Sequence, residues 1–311
     1  MKDSRMASTK RGQSAVAGYL FLTPNLLGVL AFTLIPVLAS LGLSFFEWDL
    51  FTPPKFVGFH NFAVLMKDRE FWYYAFNTVF LMLAIPVNIL GSLILAMVMN
   101  QKLRGIVVFR TIYFMPSIVA GVGTYLLWRW IYNPDYGLIN TIITSWSPGW
   151  LNDWIRGLGV EWPPQWLSSV TWAKPALMFM SFWTVVGGYN MILYLAALQG
   201  VSLELYEAAD IDGANKWQKF WAITWPMVSP TTFFVFTMSL IGGLQGGFEQ
   251  ALVMTRGGPA GATTTISYYI YNHAFAWNHM GYAAAVAWVL FAAVFAITLL
   301  NWRFGGRIVH Y

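Results

Sequence analysis

The chain has 311 residues, of which 58% are hydrophobic and only 10% are Asp, Glu, Lys or Arg. Soluble globular domains carry about 25% charged residues, so this composition excludes an ordinary soluble domain and predicts an integral membrane protein. The 17 Trp and 15 Tyr residues agree, since their rings collect at membrane interfaces. The chain has no Cys, which excludes disulfides and thiol chemistry, and its net charge of +5 is not a nucleic-acid signal.

Six apolar runs are long enough to cross a membrane, which takes about 20 residues of helix. The first run is much longer than the apolar core of a cleaved signal peptide and predicts a retained anchor. Proline inside a run is tolerated where neighbouring helices satisfy the freed carbonyl. After a cytoplasmic segment at residues 1–16, the predicted spans are 17–46, 71–99, 106–131, 175–200, 230–254 and 281–302.

The distribution of Lys and Arg predicts the orientation. With the N-terminus inside, the inside segments hold 11 of the 18 Lys and Arg residues and 5 of the 13 Asp and Glu residues. Short cytoplasmic loops are the ones enriched in Lys and Arg. We therefore predict an all-α, six-span membrane domain over residues 17–311 with both termini in the cytoplasm. The loop at 201–229 is predicted to be cytoplasmic as well.

The longest loop, at residues 133–173, is external in this topology and rich in tryptophan. Two interpretations of it stay open: an aromatic belt with interfacial turns, or a docking surface or lid for an external partner. The tryptophans of this loop are Trp146, Trp150, Trp154, Trp162, Trp166 and Trp172.

The loop at 201–229 is the most polar internal segment and predicts two short helices. Ser202 suits the N-cap of the first helix, and Gly213 suits the left-handed position that ends it. The second helix carries an apolar stripe, and Pro226 is predicted to end it before the fifth span. The stripe consists of Trp217, Phe220, Trp221 and Thr224.

The same segment resembles the EAA loop of binding-protein-dependent ABC importer permeases. The spacing EAA-x2-DGA-x5-F-x2-I-x2-P-x3-P is specific, and it departs from the usual pattern only at Trp225, where Leu is usual. The start of the chain and a Gly-Gly-Pro stretch resemble the sugar-type subfamily, and the order around that stretch resembles the maltose-type first permease of a heterodimeric pair. The residues are Glu207, Ala208, Ala209, Asp212, Gly213, Ala214, Phe220, Ile223, Pro226, Pro230, Gly257, Gly258 and Pro259.

The resemblance implies the type I ABC importer permease fold in a bacterial inner membrane. The implied function is a permease subunit of an ATP-driven carbohydrate importer that works by alternating access. The implied partners are a second homologous permease, which the first span wraps, a dimer of ATP-binding subunits and an extracytoplasmic solute-binding protein. The resemblance makes the loop at 201–229 the coupling loop, and the residues it assigns to the ATPase contact are Glu207, Ala208, Ala209, Asp212 and Gly213.

No enzymatic chemistry is predicted for the chain itself. It lacks the G-x4-G-K-[ST] phosphate-binding loop, so ATP and Mg²⁺ are expected on a partner ATPase, with no cofactor bound here. The four His residues show no metal-ligand spacing, and no hydrolase motif occurs.

The fifth span carries the first group of candidate substrate residues. Glu249 is the one clear ionisable residue within a span, and such residues are functional candidates. Four glycines at positions 242–247 weaken the helix before it, as at many transporter sites. Gln245 is four residues earlier and is expected on the same face, with Phe248 placed to stack on a sugar. The alternative is packing through small residues, with Glu249 at the interface or paired with Arg256.

The fourth span adds Trp183, Tyr189 and Asn190, and core packing is the alternative for Trp183. Because the spans carry no fixed positive charge, a neutral carbohydrate is expected in preference to a phosphate-bearing solute. Two functional alternatives remain: a permease for another small polar solute, such as a sugar alcohol or glycerol phosphate, and a stand-alone secondary transporter.

Overall fold

The computed structural model describes residues 18–101, 104–119, 121–159 and 161–305. The predicted cytoplasmic segment 1–16 lies outside these residues. The described chain is mostly helical, with one two-stranded antiparallel ribbon that pairs Phe46 with Phe56 and Glu47 with Lys55. The elements are α1 Gly18–Leu43, β1 Phe46–Glu47, β2 Lys55–Phe56, α2 His60–Lys67, α3 Arg69–Met82, α4 Ala84–Met99, α5 Ile106–Ile118, α6 Gly121–Ile131, α7 Leu138–Trp146, α8 Gly149–Gly157, α9 Val170–Val186, α10 Tyr189–Gln199, α11 Leu203–Ile211, α12 Lys216–Gln245, α13 Phe248–Gln250, α14 Ile266–Tyr271 and α15 Met280–Gly305. Helices α13 and α14 each continue into a π-helical turn, at Ala251–Thr255 and Asn272–Ala276.

Four stretches of helix are long and apolar enough to cross a membrane, and two bent helix pairs bring the total to six if each pair is one span. The four are α1, α3 with α4, α12, and α15 up to Arg303; the bent pairs are α5 with α6 and α9 with α10. The predicted all-α membrane fold is therefore confirmed. The orientation of the termini stays a prediction.

The fifth span differs from its prediction at both ends. Helix α12 is continuous from Lys216 to Gln245, so the prediction that Pro226 ends a separate short helix is wrong. A π-helical turn at Phe220–Thr224 precedes Pro226, and the Ser229 hydroxyl donates to the Pro226 carbonyl at 2.8 Å. That carbonyl is the one that Pro230, lacking an N–H, leaves without its helical partner. The helix passes both prolines because these local adjustments absorb them.

The described residues divide into two compact units, one formed by the described residues up to 66 and by 273–288, and the other by the described residues from 67 to 272 and from 289 onwards. In the first unit, the Asn61 amide donates to the carbonyls of Ser44 at 2.8 Å and Phe46 at 2.9 Å. The Met280 N–H donates to the Trp48 carbonyl at 3.0 Å. These bonds fix the β1–β2 ribbon beside the start of α15.

The core of the second unit lies where α4, α10 and α12 meet. Small and branched side chains interlock there, and the Tyr194 hydroxyl lies 3.1 Å from that of Thr232. Burial of such apolar groups stabilises by roughly 25 cal/mol per Å². These contacts pack α12 against α4 and α10. The buried residues include Leu93, Ala96, Met191, Leu198, Val228 and Val235.

The tryptophan-rich segment divides into an anchored part and an exposed part. The indole of Trp162 donates to Asn152 at 2.7 Å, and the indole of Trp166 donates to Asn140 at 2.8 Å. The remaining exposed face, on α7 and α8, is the surface to which both interpretations of this loop apply. It carries Trp146, Trp150 and Trp154, which are 84%, 71% and 60% exposed.

Candidate functional site

Helix α11 of the coupling loop is built by local capping signals. The Ser202 hydroxyl accepts from the Glu204 N–H, as predicted for an N-cap. At the other end, Gly213 has φ +75°, and the N–H groups of Gly213 and Ala214 donate to Asp210 and Ala209. This is the Schellman arrangement, in which a left-handed residue closes the last turn. The predicted helix ends are therefore confirmed.

The outer surface of α11 is exposed, and no other described segment of the chain covers it. Glu207, Ala208 and Asp212 are exposed, and neither carboxylate has a protein partner there. Ile211, at the tip, is 87% exposed, and Leu203 is 64% exposed. Large apolar side chains beside unpaired carboxylates make a surface suited to contact with another protein.

Side-chain contacts join helix α11 to the first part of helix α12, across the turn at Gly213. The Tyr206 hydroxyl lies 2.9 Å from that of Thr224, and Lys219 pairs with Asp210. Asn215 forms a reciprocal capping box with Gln218 at the start of α12. Helix α12 continues from this loop into the fifth membrane span.

A cavity of about 290 Å³, called the Tyr189 cavity, lies where the fourth span bends by 41° between α9 and α10. The bend follows Gly187, where a Cβ would lie 2.2 Å from the Tyr113 carbonyl oxygen, so only glycine permits this approach of α5. Neither the Tyr189 hydroxyl nor the Asn190 amide has a hydrogen-bond partner in the described residues. The lining residues are Ser117, Thr184, Val185, Gly188, Tyr189, Asn190, Met238 and Ser239.

The structure does not bring the other four predicted ligand residues to this cavity. Trp183 is 57% exposed, with its ring 6.5 Å from that of Trp128. The Phe248 ring packs 4.8 Å from that of Tyr271. Gln245 ends α12, and its carbonyl accepts from the Ser267 hydroxyl at 2.6 Å.

The expectation that Gln245 and Glu249 share a helical face is wrong. The helix stops at Gly246, and Gly247 has φ +83°, so Glu249 belongs to the new short helix α13. Spacing of four residues places side chains on one face only when the helix is unbroken. Glu249 is exposed and forms no ion pair with Arg256 or any other described residue.

A larger cavity of about 310 Å³, called the Asn88 cavity, lies among α3, α4, α9 and the broken end of α12. It contains none of the predicted ligand residues. Its polar lining includes Asn88, Ser181, Ser239 and Gln250. Sequence reasoning missed these because it searched the spans for charges, whereas the available signal was a neutral amide within the apolar run of the second span.

Neither cavity is lined by Lys, Arg, Asp or Glu. Within the described ranges, no three His, Asp or Glu residues are placed to hold a metal ion. The two cavities share Val185 and Ser239, so they adjoin one another. The arrangement offers neutral hydrogen-bonding groups on apolar walls, which suits a neutral polar solute.

Known proteins resemble the chain over nearly its whole length. Residues 77–308 match the family described as binding-protein-dependent transport system inner membrane component. The lactose transport system permease protein LacF of Rhizobium radiobacter is 36% identical, covering 95% of this chain and 97% of that protein. The trehalose/maltose transport system permease protein MalF of Thermococcus litoralis is 32% identical, covering 97% and 98%.

A solved structure has the same fold. It is a bacterial ABC transporter involved in the import of the acidic polysaccharide alginate, with a TM-score of 0.79 and 24% identity over 97% of this chain and 99% of that chain. The fold expected from the EAA resemblance is therefore confirmed.

Proposed function

The chain belongs to the family of binding-protein-dependent transport system inner membrane components, and we propose that it is a permease subunit of an ATP-driven carbohydrate importer. The observation that carries this proposal is the bare, capped helix α11, fastened to a helix that continues into the membrane. Such a helix can receive a push from another subunit and transmit it to the spans that line the solute path.

The contact with the ATPase is assigned to α11. Glu207 supplies a carboxylate for a basic partner group, and Ala208 and Ala209 let a partner surface approach closely. Asp212 and Gly213 hold the turn that ends the helix. The chain has no phosphate-binding loop, so ATP and Mg²⁺ belong to a partner dimer that performs the hydrolysis.

The solute path is assigned to the region of the Tyr189 cavity. Tyr189 supplies an aromatic ring and a hydroxyl, and Asn190 supplies an amide; both polar groups lack a hydrogen-bond partner among the described residues. Neutral lining favours carbohydrate over glycerol phosphate, because a phosphate group usually requires an Arg or Lys clamp. Trp183 lies off the cavity, and we assign it to the wall of the path.

Gln245, Phe248 and Glu249 flank the break at the end of α12. We assign them to contacts that form when this break changes its angle during alternating access. Interrupted helices recur at the substrate sites of transporters. Coupling then requires a two-state element whose equilibrium both the ATPase and the solute bias, and α12 with its break is that element.

The remaining partners follow from the surface of the chain. Helix α1 is 26 residues long and its most apolar window has no buried residue, which suits a helix that wraps a second homologous permease. A solute-binding protein delivers the carbohydrate on the external side. The place of action is the bacterial inner membrane, with both termini in the cytoplasm.

The test measures ATP hydrolysis and sugar transport by variants of the coupling loop. Each variant is placed in the complex reconstituted with its ATPase, partner permease and binding protein. Glu207→Lys and Gly213→Asp are expected to insert normally and to hydrolyse ATP without transporting sugar. Glu204→Gln is the matched control for Glu207→Gln, because Glu204 is also an exposed carboxylate and lies one turn earlier in α11. Sugar uptake at the wild-type rate by both Glu207→Lys and Gly213→Asp would falsify the coupling assignment.

Two alternatives give different results in the same system. A stand-alone secondary transporter would move solute in vesicles that hold this chain alone and lack ATP. A permease for a sugar alcohol or glycerol phosphate would respond to that solute in the ATPase assay and not to saccharides. Co-elution of an ATPase subunit with the purified chain supports the importer.

A further inference from the structure

The tryptophan-rich loop carries an apolar face that no described segment of the chain covers. Exposed apolar side chains recur at every fourth position through α7 and α8, with exposed fractions between 44% and 84%. Side chains four positions apart lie on the same side of a helix, so each helix presents one apolar stripe. These side chains, together called the tryptophan stripe, are Leu138, Ile142 and Trp146 on α7, Trp150 and Trp154 on α8, and Leu158 directly after α8.

Few charged side chains lie near the tryptophan stripe. Residues 138–152 contain no Asp, Glu, Lys or Arg. The charges that follow, on Asp153 and Arg156, face each other at 4.0 Å within α8 and cancel. Docking of a soluble protein is usually steered and oriented by complementary charge. Because the segment has no net charge to offer, a soluble partner is a poor match for the stripe.

The composition of the stripe is typical of a membrane interface. Half of its members are Trp, whose ring has an apolar body and an N–H donor, and such rings collect at the level of the lipid headgroups. Exposed Thr141, Thr144 and Ser145 flank the stripe on α7. A short helix with an apolar stripe and polar flanks lies in the plane of the interface, with the stripe toward the acyl chains.

Hydrogen bonds tie the two helices to neighbouring spans. Asn140 of α7 is only 4% exposed; its amide donates to the Pro164 carbonyl at 3.1 Å and accepts from the Trp166 indole at 2.8 Å. The Trp166 ring packs 5.6 Å from that of Tyr132, which directly follows α6. The Tyr132 hydroxyl donates to the Ala176 carbonyl of α9 at 2.7 Å. The stripe is therefore held beside the ends of α6 and α9, and a span meets the interface at its ends.

We propose that α7 and α8 lie in the headgroup region of the bilayer, on the side predicted to be external, with the tryptophan stripe against lipid acyl chains. The loop is then an anchor that fixes the neighbouring ends of the third and fourth spans in the membrane. Residues 138–158 carry one Asp and one Arg, so the contact is apolar and needs no anionic lipid. The proposal concerns lipid alone and holds whichever solute the chain transports.

Site-specific fluorescent labels test the proposal, because the chain contains no native Cys. Ile142→Cys and Trp154→Cys each place a bimane label on the stripe, one on each helix. Thr144→Cys and Arg156→Cys are the matched controls: both residues are exposed and lie two positions further along, about 200° around the helix. Each labelled variant is assembled with Cys-free partner subunits in nanodiscs of phosphatidylcholine. Elution of the complex at the wild-type volume confirms assembly.

Two quenchers distinguish lipid from water around each label. Phosphatidylcholine with a doxyl group near its headgroup quenches labels in the interface, and iodide quenches labels in water. On both helices, doxyl lipid should quench the stripe label roughly two-fold more than its control, because an interfacial helix buries one face only. Iodide should quench the control label more than the stripe label. Adding phosphatidylglycerol should leave the doxyl quenching unchanged, because the segment has no net charge.

Three results would overturn the proposal. Stripe labels that iodide quenches until the binding protein is added would show that the stripe docks that protein. Stripe labels that neither quencher reaches would show that another subunit covers the stripe. Equal quenching of stripe and control labels would show that neither helix lies in the interface by its apolar side. Because each helix has its own pair of labels, the comparison still stands on one helix if a variant of the other does not assemble.

Discussion

The two ends of helix α12 respond in opposite ways to residues that disfavour helices. At its beginning, Pro226 and Pro230 leave the helix intact. At its end, Gly246 and Gly247 stop it, although glycine is the milder helix breaker, at about 1 kcal/mol against about 3 kcal/mol for proline. Helix propensity alone would predict the opposite: a break at the prolines and a continuous helix through the glycines.

The proline end is repaired by nearby residues. Pro230 leaves the Pro226 carbonyl without an N–H donor, and the Ser229 hydroxyl supplies one at 2.8 Å. The π-turn at Phe220–Thr224 makes room for Pro226, and a similar turn at Leu30–Leu34 precedes Pro36 in α1. The missing hydrogen-bond donor is a local defect, so the side chain of a residue one turn away can replace it.

The glycine end is determined by contact with a distant segment. Gly247 has φ +83°, and a Cβ there would lie 2.5 Å from Cγ2 of Thr265. At Gly246, a Cβ would lie 2.6 Å from the Gly242 carbonyl oxygen. The break therefore requires residues without a side chain: Gly247 lies against the distant Thr265, and Gly246 lies against the preceding turn of α12.

The largest expected effect is that of Gly247→Ala. It combines a left-handed backbone, unfavourable by about 1–2 kcal/mol for alanine, with overpacking against Thr265, which typically costs about 1–3 kcal/mol. The midpoint of thermal unfolding of the purified chain should fall accordingly. Gly242→Ala is the control, because its Cβ meets nothing within 4 Å and alanine gains up to about 1 kcal/mol in a helix. Equal stability of the two variants would contradict the contact explanation.

The next effect is that of Ser229→Ala, which removes the hydroxyl from the Pro226 carbonyl and should destabilise the chain by about 1–3 kcal/mol. The double variant Ser229→Ala/Pro230→Ala should recover the loss, because an alanine in place of Pro230 has an N–H for the same carbonyl. The comparison uses the unfolding midpoints of the two variants and of Pro230→Ala. A loss that persists in the double variant would show that Ser229 acts in another way.

The smallest effect is that of Gly213→Ala, which separates backbone strain from contact. Gly213 also has a positive φ, +75°, but a Cβ there meets nothing within 4 Å. The alanine variant should therefore be destabilised only by backbone strain, of about 1–2 kcal/mol. This should be measured as roughly five- to thirty-fold faster amide exchange in residues 203–213. Gly213→Asn should lie closer to the wild type, since Asn tolerates this backbone better. If the alanine and asparagine variants show equally fast amide exchange, backbone strain is not the cause of the faster exchange.

The sequence predicted those parts of the candidate sites that depend on neighbours in the chain. The caps of α11 at Ser202 and Gly213 were predicted because capping uses atoms within a few residues. Tyr189 and Asn190, two of the candidate substrate residues on the fourth span, line the Tyr189 cavity, and their role in binding stays a prediction. The Asn88 cavity was not predicted, since α4, α9 and α12 contribute residues far apart in sequence.

By itself, the sequence determined the membrane class of this protein, its all-helical spans and its EAA loop, because composition and short spacing carry that information. Only the tertiary structure decided that α12 continues through two prolines, that it breaks at Gly247, and that Glu249 lies apart from Gln245. The physical reason is that these outcomes depend on which distant atoms, such as those of Thr265, lie against the backbone. Hydropathy and residue spacing do not encode such contacts.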